Sequence, residues 1–245
     1  MKKRNVIFTI LLASLLITGC NGTKEDNLTI TEIDPESIVS TIRYEACFTT
    51  SYSDFAEMAE ASSVIVYGEI TGIDYYMNMN GACATRIDVN VIQSLKGSVE
   101  EGDTIQIEED QGIVTLKEYI DSYETEELRE TIRNDYQQYS DDELDNIYVK
   151  QLLFGDIMFE VGQKNVFLLT GSNNYDTRHT YSRINGPFGS FTELSDNCFY
   201  WTQGIGSSLA EENGINLLDA SADSERVIES VKPNTLDELI SDMDL

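Results

Sequence analysis

The stretch SSVIVYGEITGI (residues 62–73) decides the fold, because its apolar residues follow the two-residue period of a β-strand. Val64, Val66 and Ile70 share one side of the extended chain. Three later stretches behave in the same way: TRIDVNVIQSLKG (85–97), GDTIQIEED (102–110) and KNVFLLT (164–170). The last is continuously apolar from 166 to 169, so we expect it to be covered on both faces. The sequence therefore predicts a domain built mainly from β-strands.

Shorter elements surround these four strands. Further strands are predicted at 180–184, 190–194 and 198–202, and the Ser195-Asp196-Asn197 sequence predicts a turn between the last two. Capping-box spacings predict a short helix at 53–61, begun by Asp54, and another that begins at Thr235. Short strands with glycine-marked turns favour a barrel or a sandwich. We therefore expect one mainly β domain over residues 51–245, with short flanking helices.

A helical insertion is predicted between the third and fourth strands, at about residues 115–155. Apolar residues recur there at spacings of three and four, and Ser140 to Glu143 has the spacing of a capping box. We expect two or three amphipathic helices, the third containing Leu144, Ile147, Tyr148 and Leu152. Residues 100–160 carry a net charge of −15. The tyrosines at helical spacing are interpreted as an apolar stripe that packs on the β-barrel, with sugar binding as the alternative.

The amino terminus has the features of an export signal. Three basic residues (2–4) precede an apolar stretch of about 12 residues, which is a secretory length and shorter than a membrane span. The sequence Ile17-Thr18-Gly19-Cys20 resembles the lipobox of bacterial lipoproteins. That resemblance implies removal of residues 1–19 and attachment of a diacylglyceryl group to Cys20. Residues 20–50 then form a polar tether and lead-in, and the protein lies on the outer face of the bacterial cell membrane.

The charge and the cysteines restrict the partners. The chain has 44 acidic residues against 16 Lys and Arg, a formal net charge of −28. Because nucleic-acid binding depends on Lys and Arg, this charge argues against a nucleic-acid partner. Besides Cys20, the chain contains Cys47, Cys83 and Cys198, which permit one disulfide and leave its pairing open.

The order of the predicted elements resembles a known barrel. The chain is similar to surface lipoproteins of anaerobic Gram-positive bacteria in the order of its elements. That order is a helix followed by the strand segments ASSVIVYGEITGI, VNVIQSLKGSVEEGDTIQI and FEVGQKNVFLL. It is more distantly similar to the netrin-like oligonucleotide/oligosaccharide-binding (OB) barrel of tissue inhibitors of metalloproteinases. The likeness covers about 54–112 and 158–170 and implies a small OB-like barrel. Inhibitor activity is not implied, because the first mature cysteine here is the lipidation residue.

Catalytic and metal-binding patterns are weak. His179 is the single histidine, and its polar loop favours an ordinary surface residue. Asp219, Asp223 and Glu225 place oxygen atoms at alternate positions like a calcium loop, but the glycine and the terminal glutamate of an EF-hand are missing. A solvated acidic loop is favoured, and a looser Ca²⁺ site there or at EEDQG (108–112) is the alternative. The sequence predicts no other cofactor.

The aromatic segment Phe199, Tyr200 and Trp201 is the candidate ligand-binding surface, with core packing as the alternative. The sequence therefore favours a membrane-anchored binding module for a protein, peptide or glycan, without catalytic activity. An extracytoplasmic hydrolase that uses Asp/Glu chemistry and a purely structural envelope lipoprotein are the alternatives. Alanine replacement of these three residues distinguishes the two roles. If they line a binding site, the variants should fold but lose binding, and if they belong to the core, the variants should unfold.

Overall fold

The structure, a computed structural model, describes residues 33–45, 47–48, 50–79, 81–153, 155–171, 180–205, 211–214 and 234–245. The described chain is mainly β, as predicted from the sequence, and its strands form two sheets. Its strands are β1 (Ile38–Tyr44), β2 (Val64–Met77), β3 (Cys83–Lys96), β4 (Thr104–Glu109), β5 (Gly112–Thr115), β6 (Tyr148–Leu153), β7 (Lys164–Gly171), β8 (Thr180–Arg183), β9 (Ser190–Ser195) and β10 (Cys198–Trp201). Its helices are α1 (Phe55–Ala61), α2 (Leu116–Asp121), α3 (Glu126–Asp135) and α4 (Leu236–Asp242).

The larger sheet has seven strands in the order β10-β9-β7-β2-β3-β4-β8. The long antiparallel β2–β3 hairpin lies at its centre and continues to Met77 and Cys83, beyond the predicted stretches. At the far side, β8 pairs with β4 in parallel through Gln106–Thr180 and Ile107–Tyr181. The same β8 also pairs with β7 in antiparallel fashion. Hydrogen bonding therefore leads from β4 through β8 back to β7 over a short distance.

Two apolar cores lie on opposite sides of β7. Phe167 and Leu169 point into the first core, together with the alternating Ile and Val residues of β2, β3 and β4. Val166 and Leu168 point into the second core, which α1 and α4 cover with Met58 and Leu239. The continuous apolar run of β7 is thus buried on both faces, as the sequence predicted.

The predicted helix starts are correct for α1 and α4. The Asp54 carboxylate accepts the N–H of Glu57 at 2.9 Å, which satisfies an otherwise unpaired backbone donor of α1. Thr235 and Glu238 form the complete capping box of α4. A capping box not singled out in the sequence, Thr115 with Glu118, starts α2.

The third predicted helix of the insertion is wrong. Ser140 to Asn146 form turns, and Tyr148–Leu153 is strand β6. This strand lies between β1, which runs parallel to it, and β5, which runs antiparallel, in a second sheet of three strands. Val149 and Leu152 are buried by these neighbours. Neither β1 nor β5 was predicted.

The insertion has an apolar cluster of its own. Leu116, Ile120, Leu144 and Val149 are buried there, and Tyr119, Tyr136 and Tyr139 pack against them together with Val39, Ile42, Ile132 and Ile147. Most of the tyrosine stripe is therefore packing, but against the three-stranded sheet and its helices. The edge-on contact of Tyr119 with Tyr123, with a hydroxyl hydrogen bond of 2.8 Å, extends the cluster.

Two further observations concern membrane-spanning helices and the cysteines. Among the described residues, no helix is both long and apolar enough to span a membrane. Cys47, Cys83 and Cys198 are all free thiols, respectively exposed, buried and half-buried.

Candidate functional site

A groove of about 550 Å³ opens where two turns of the seven-stranded sheet meet. One wall is the 160–164 segment that leads into β7, and the other is the 193–196 segment that leads from β9 to β10. Its volume lies in the range that binds small ligands. The groove is therefore a ligand-sized concave surface in the described part of the chain.

The first wall is a tight turn that is fixed to β2. The N–H of Gly162 donates to the carbonyl of Ile70 at 2.8 Å, and the N–H of Ile70 donates to the carbonyl of Gln163 at 2.9 Å. Gly162 has φ of 90°, a left-handed conformation that favours glycine. Because both hydrogen bonds are to a central strand, this wall is held in place by the sheet.

The second wall presents a held carboxylate. Glu193 accepts the hydroxyl of Tyr67 at 2.7 Å and the N–H of Asn197 at 2.7 Å, one at each carboxylate oxygen. Asn197 has φ of 52° and forms the predicted turn. Burial and the hydrogen bond to Glu193 raise the pKa of Tyr67, so its hydroxyl remains a donor at neutral pH.

The groove combines polar and apolar groups. Glu160, Lys164, Glu193 and Asp196 supply charge, and Val161, which is exposed, and Leu194 supply apolar surface. Carboxylates outnumber the single ammonium group. This lining suits a hydroxyl-rich or cationic ligand and disfavours a polyanion.

A second polar cluster lies inside the molecule and is centred on Arg183. The Arg183 side chain is 0% exposed, and all five of its N–H groups have acceptors. Nε and Nη2 donate to the two oxygens of Glu109 at 2.5 and 2.8 Å. Nη1 donates to Asp156 Oδ1 at 3.1 Å and to Ser190 Oγ at 3.0 Å, and Nη2 also donates to Asp156 Oδ2. The guanidinium lies over the ring of Phe159.

The cluster joins distant parts of the chain. Glu109 ends β4, Asp156 follows β6, and Arg183 ends β8. Gln111 donates to Asp156 at 2.9 Å and accepts the N–H of Leu153 at 3.3 Å, so it fixes both ends of the insertion. Because its charged and polar side chains are buried and bonded to each other, this cluster is a structural junction, closed to a substrate.

The sequence analysis missed this cluster. Asp156 lies in the otherwise apolar run LLFGDIMF (152–159), and a lone acid in such a run indicates a buried partner. That signal was present. No local signal identifies Arg183 as the partner.

The three predicted aromatic residues do not form one surface. Phe199 is 1% exposed and contacts Tyr67 edge-on in the second core. Trp201 lies on the same side, packs against Phe55 and Phe188, and donates its indole N–H to the Phe188 carbonyl. Tyr200 is half-buried on the opposite side, against the first core. Ligand binding by these residues stays a prediction.

The predicted metal and lipid residues have different outcomes. Asp219, Asp223, Glu225, His179 and Cys20 lie outside the described residues. The alternative calcium site at EEDQG (108–112) is wrong, because both Glu109 oxygens face inward to Arg183. Within the described ranges no three His, Cys, Asp or Glu side chains are grouped so that they could hold a metal ion.

Comparison with known proteins does not assign the chain. No protein-family model matches it, and no curated protein matches it in sequence. The function is therefore argued from the residues themselves.

Proposed function

We propose that this protein is a lipid-anchored extracytoplasmic binding module, without catalytic activity, which binds a peptide, protein or glycan in the groove between the 160–164 and 193–196 turns. The groove is the observation that carries the binding part of the proposal. Two walls fixed to the sheet leave a preformed concave surface, and a preformed site loses less conformational entropy when its ligand binds.

The anchor is supported by the sequence at residues 2–20. A basic start, a short apolar stretch and a cysteine after Thr18-Gly19 occur together at secretory spacing. Two acyl chains of a diacylglyceryl group suffice for stable membrane attachment. Without residues 1–19 the chain has 44 acidic residues against 13 Lys and Arg, a net charge of −31, which keeps the folded body away from anionic lipid while the tether holds it outside the headgroup layer.

The finer fold assignment is also part of the proposal. We infer that β2, β3, β4, β8 and β7 form a small OB-like barrel. The pairings of β8 with both β4 and β7 support this, because they link the five strands in one circuit. Barrels of this type bind ligands on one face and its adjoining loops, which makes a binding role a reasonable expectation by analogy.

The carboxylate pair that Arg183 brings together is buried away from any substrate. Glu109 and Asp156 are 6% and 2% exposed and both are bonded to Arg183. Acid–base catalysis needs a carboxyl group within reach of substrate. This pair therefore does not support the hydrolase alternative.

The anchor is tested by metabolic labelling with radioactive palmitate. We expect the wild-type chain to be labelled and recovered with membranes, and the Cys20→Ala variant to be unlabelled. An unlabelled wild-type chain, or its recovery in cytosol at full precursor mass, would contradict the lipoprotein assignment.

The groove is tested with the mature chain carrying Cys20→Ser, probed on defined glycan and peptide arrays. Binding should fall at least tenfold in Glu193→Gln and in Lys164→Ala, because these side chains line the groove. Glu130→Gln, on the exposed face of α3, is the matched control. Equal binding by all variants would place the ligand elsewhere, and turnover of an arrayed glycan would support a hydrolase.

A further inference from the structure

The Arg183 cluster contains one more acid than base. Arg183, Glu109 and Asp156 are all buried, and the two carboxylates share a single guanidinium. If both acids are ionised, the interior holds one negative charge without a counterion. An unpaired charge is costly in a low-dielectric interior, and a carboxyl group avoids that cost by binding a proton.

Hydrogen bonds indicate which acid binds the proton. Asp156 accepts four: two from Arg183, one from Gln111 and one from the N–H of Ile157 at 2.9 Å. Glu109 accepts two, both from Arg183. Because hydrogen bonds to the charged form favour ionisation, Asp156 is better stabilised as a carboxylate. The proton therefore belongs on Glu109.

The groups around Glu109 agree with this assignment. Burial raises the pKa of Glu109 above its ordinary value, Arg183 opposes the rise, and the charges of Asp156 and Asp110 add to it. Tyr44 of β1 faces the same acids and donates its hydroxyl to the Asp110 carbonyl. A cavity of about 10 Å³ beside Glu109 is lined by Tyr75 of β2, Thr85 and Ile87 of β3, Gln111, Met158 and Phe159. No cation besides Arg183 is among these neighbours.

We propose that Glu109 is a proton-binding switch at the junction between the seven-stranded sheet and the insertion. With its proton, the cluster is neutral and the insertion is held firmly. When the proton leaves to solvent, one uncompensated negative charge remains among Asp156, Arg183 and Glu109. This charge weakens the hydrogen-bonded cluster at Gln111 and Asp156. Because these two residues flank residues 112–153, the insertion loosens first.

The sign of the pH dependence follows from linkage. The folded state binds the proton more tightly than the unfolded chain does, so the stabilisation is complete below the ordinary glutamate pKa of 4.5. It is lost as pH rises through the folded-state pKa. Within that window the unfolding equilibrium constant increases up to tenfold per pH unit.

The test compares urea unfolding of the wild-type chain and Glu109→Gln from pH 4 upward. Gln has the shape of protonated Glu but does not titrate. Any pH-independent cost of the substitution therefore shifts the ratio of the unfolding constants by a constant factor and does not change its dependence on pH. We expect the ratio of the two unfolding constants, wild type over variant, to rise with pH and then reach a plateau. A flat ratio, or a ratio that falls with pH, would overturn the proposal.

Two controls complete the test. Asp156→Asn also removes the excess acid, because Arg183 then has a single carboxylate partner. The ratio of unfolding constants, wild type over this variant, should therefore also rise with pH, and a flat ratio would overturn the proposal. If the ratio for Glu130→Gln rises with pH as steeply as the ratio for Glu109→Gln, the effect comes from the overall charge and the proposal is overturned. If Glu109→Gln does not fold, a ¹³C NMR titration of the Glu109 carboxyl in the wild-type protein decides. Ionisation below pH 4.5 contradicts the switch, and ionisation above it supports the switch.

Discussion

Replacing Arg183 by Met should be among the most damaging single changes in this protein. Met keeps much of the side-chain volume but removes all five N–H donors, which now serve Glu109, Asp156 and Ser190. The Asp156 carboxylate then remains buried without a counterion, and the Glu109 carboxyl group loses both of its donors. Breaking a buried ion pair by removing one partner costs about 3–5 kcal/mol. That is a large fraction of the roughly 5–15 kcal/mol that stabilises a typical domain.

The assay is urea unfolding followed by the fluorescence of Trp201, the single tryptophan. Its half-buried indole donates to the Phe188 carbonyl at 2.9 Å, so its emission should change when the second core opens. A loss of about 3–5 kcal/mol corresponds to a fall in melting temperature of roughly 6–20 °C for a chain of this size. The loss should shrink in acid, because protonation neutralises the Asp156 carboxylate that has lost its counterion.

The matched control is Arg86→Met. Arg86 is 39% exposed and lies 3.8 Å from Asp74 and from Glu108, so we expect a loss of no more than about 1 kcal/mol. An Arg183→Met variant as stable as Arg86→Met would refute the reasoning. So would an Arg183→Met loss that grows as the pH falls, since deprotonated acids are the source of the destabilisation.

Three further predictions concern packing and thiol chemistry. Gly112→Ala should cost about 1–3 kcal/mol in urea unfolding, because the new Cβ would lie 2.7 Å from a carbonyl oxygen of β3. Gly171→Ala, with open space at the same point, is its control. Phe199→Ala should cost about 3–5 kcal/mol, because the ring is buried; a folded, equally stable variant would favour a ligand-lining role. Burial raises the pKa of Cys83 to about 12, so at pH 8 iodoacetamide should modify exposed Cys47 long before Cys83. Cys47→Ser should therefore remove the fast phase, and its persistence would contradict this.

The strands of the larger sheet could be predicted because their burial is regular. In β2 and β3, neighbours on both sides impose the alternation, and it is visible in residues 64–73 and 85–95. The starts of α1 and α4 were equally visible, since a capping side chain bonds within its own turn. Asp54 and Thr235 act on N–H groups three residues away. Local interactions leave local signals.

β6 was predicted as a helix because its local pattern does not distinguish the two structures. Leu144, Ile147, Tyr148 and Leu152 match helical spacing, and a six-residue apolar segment is ambiguous by periodicity alone. What makes 148–153 a strand is pairing with β1, more than 100 residues earlier, and with β5. Pairing with such distant strands produces no pattern in the sequence of the segment itself. For this reason β1, β5 and β6 were all missed as strands.

The Arg183 cluster was hidden for a related reason. Glu109, Asp156 and Arg183 come from three separate segments, and each alone resembles an ordinary charged residue at the end of a strand. The groove is similar, because its walls at 160–164 and 193–196 meet only after β7 and β9 pair. Sequence spacing cannot identify sites that pairing creates.

The position of Arg183 follows from the distribution of charge. Residues 112–153 contain 11 acidic and 4 basic residues, a net charge of −7, and the rest of the chain is acidic as well, so Coulomb repulsion acts between the insertion and the larger sheet. Apolar burial of Leu116 and Val149 holds the insertion together, but it does not offset repulsion where the two parts join. A buried cation at that join, bonded to an acid from each side, does offset it. Loss of Arg183 should therefore weaken the attachment of the insertion to the larger sheet more than it weakens the packing inside the insertion. Perturbing the cluster should release residues 112–153 as a unit before the β2–β3 hairpin loses its protection from hydrogen exchange.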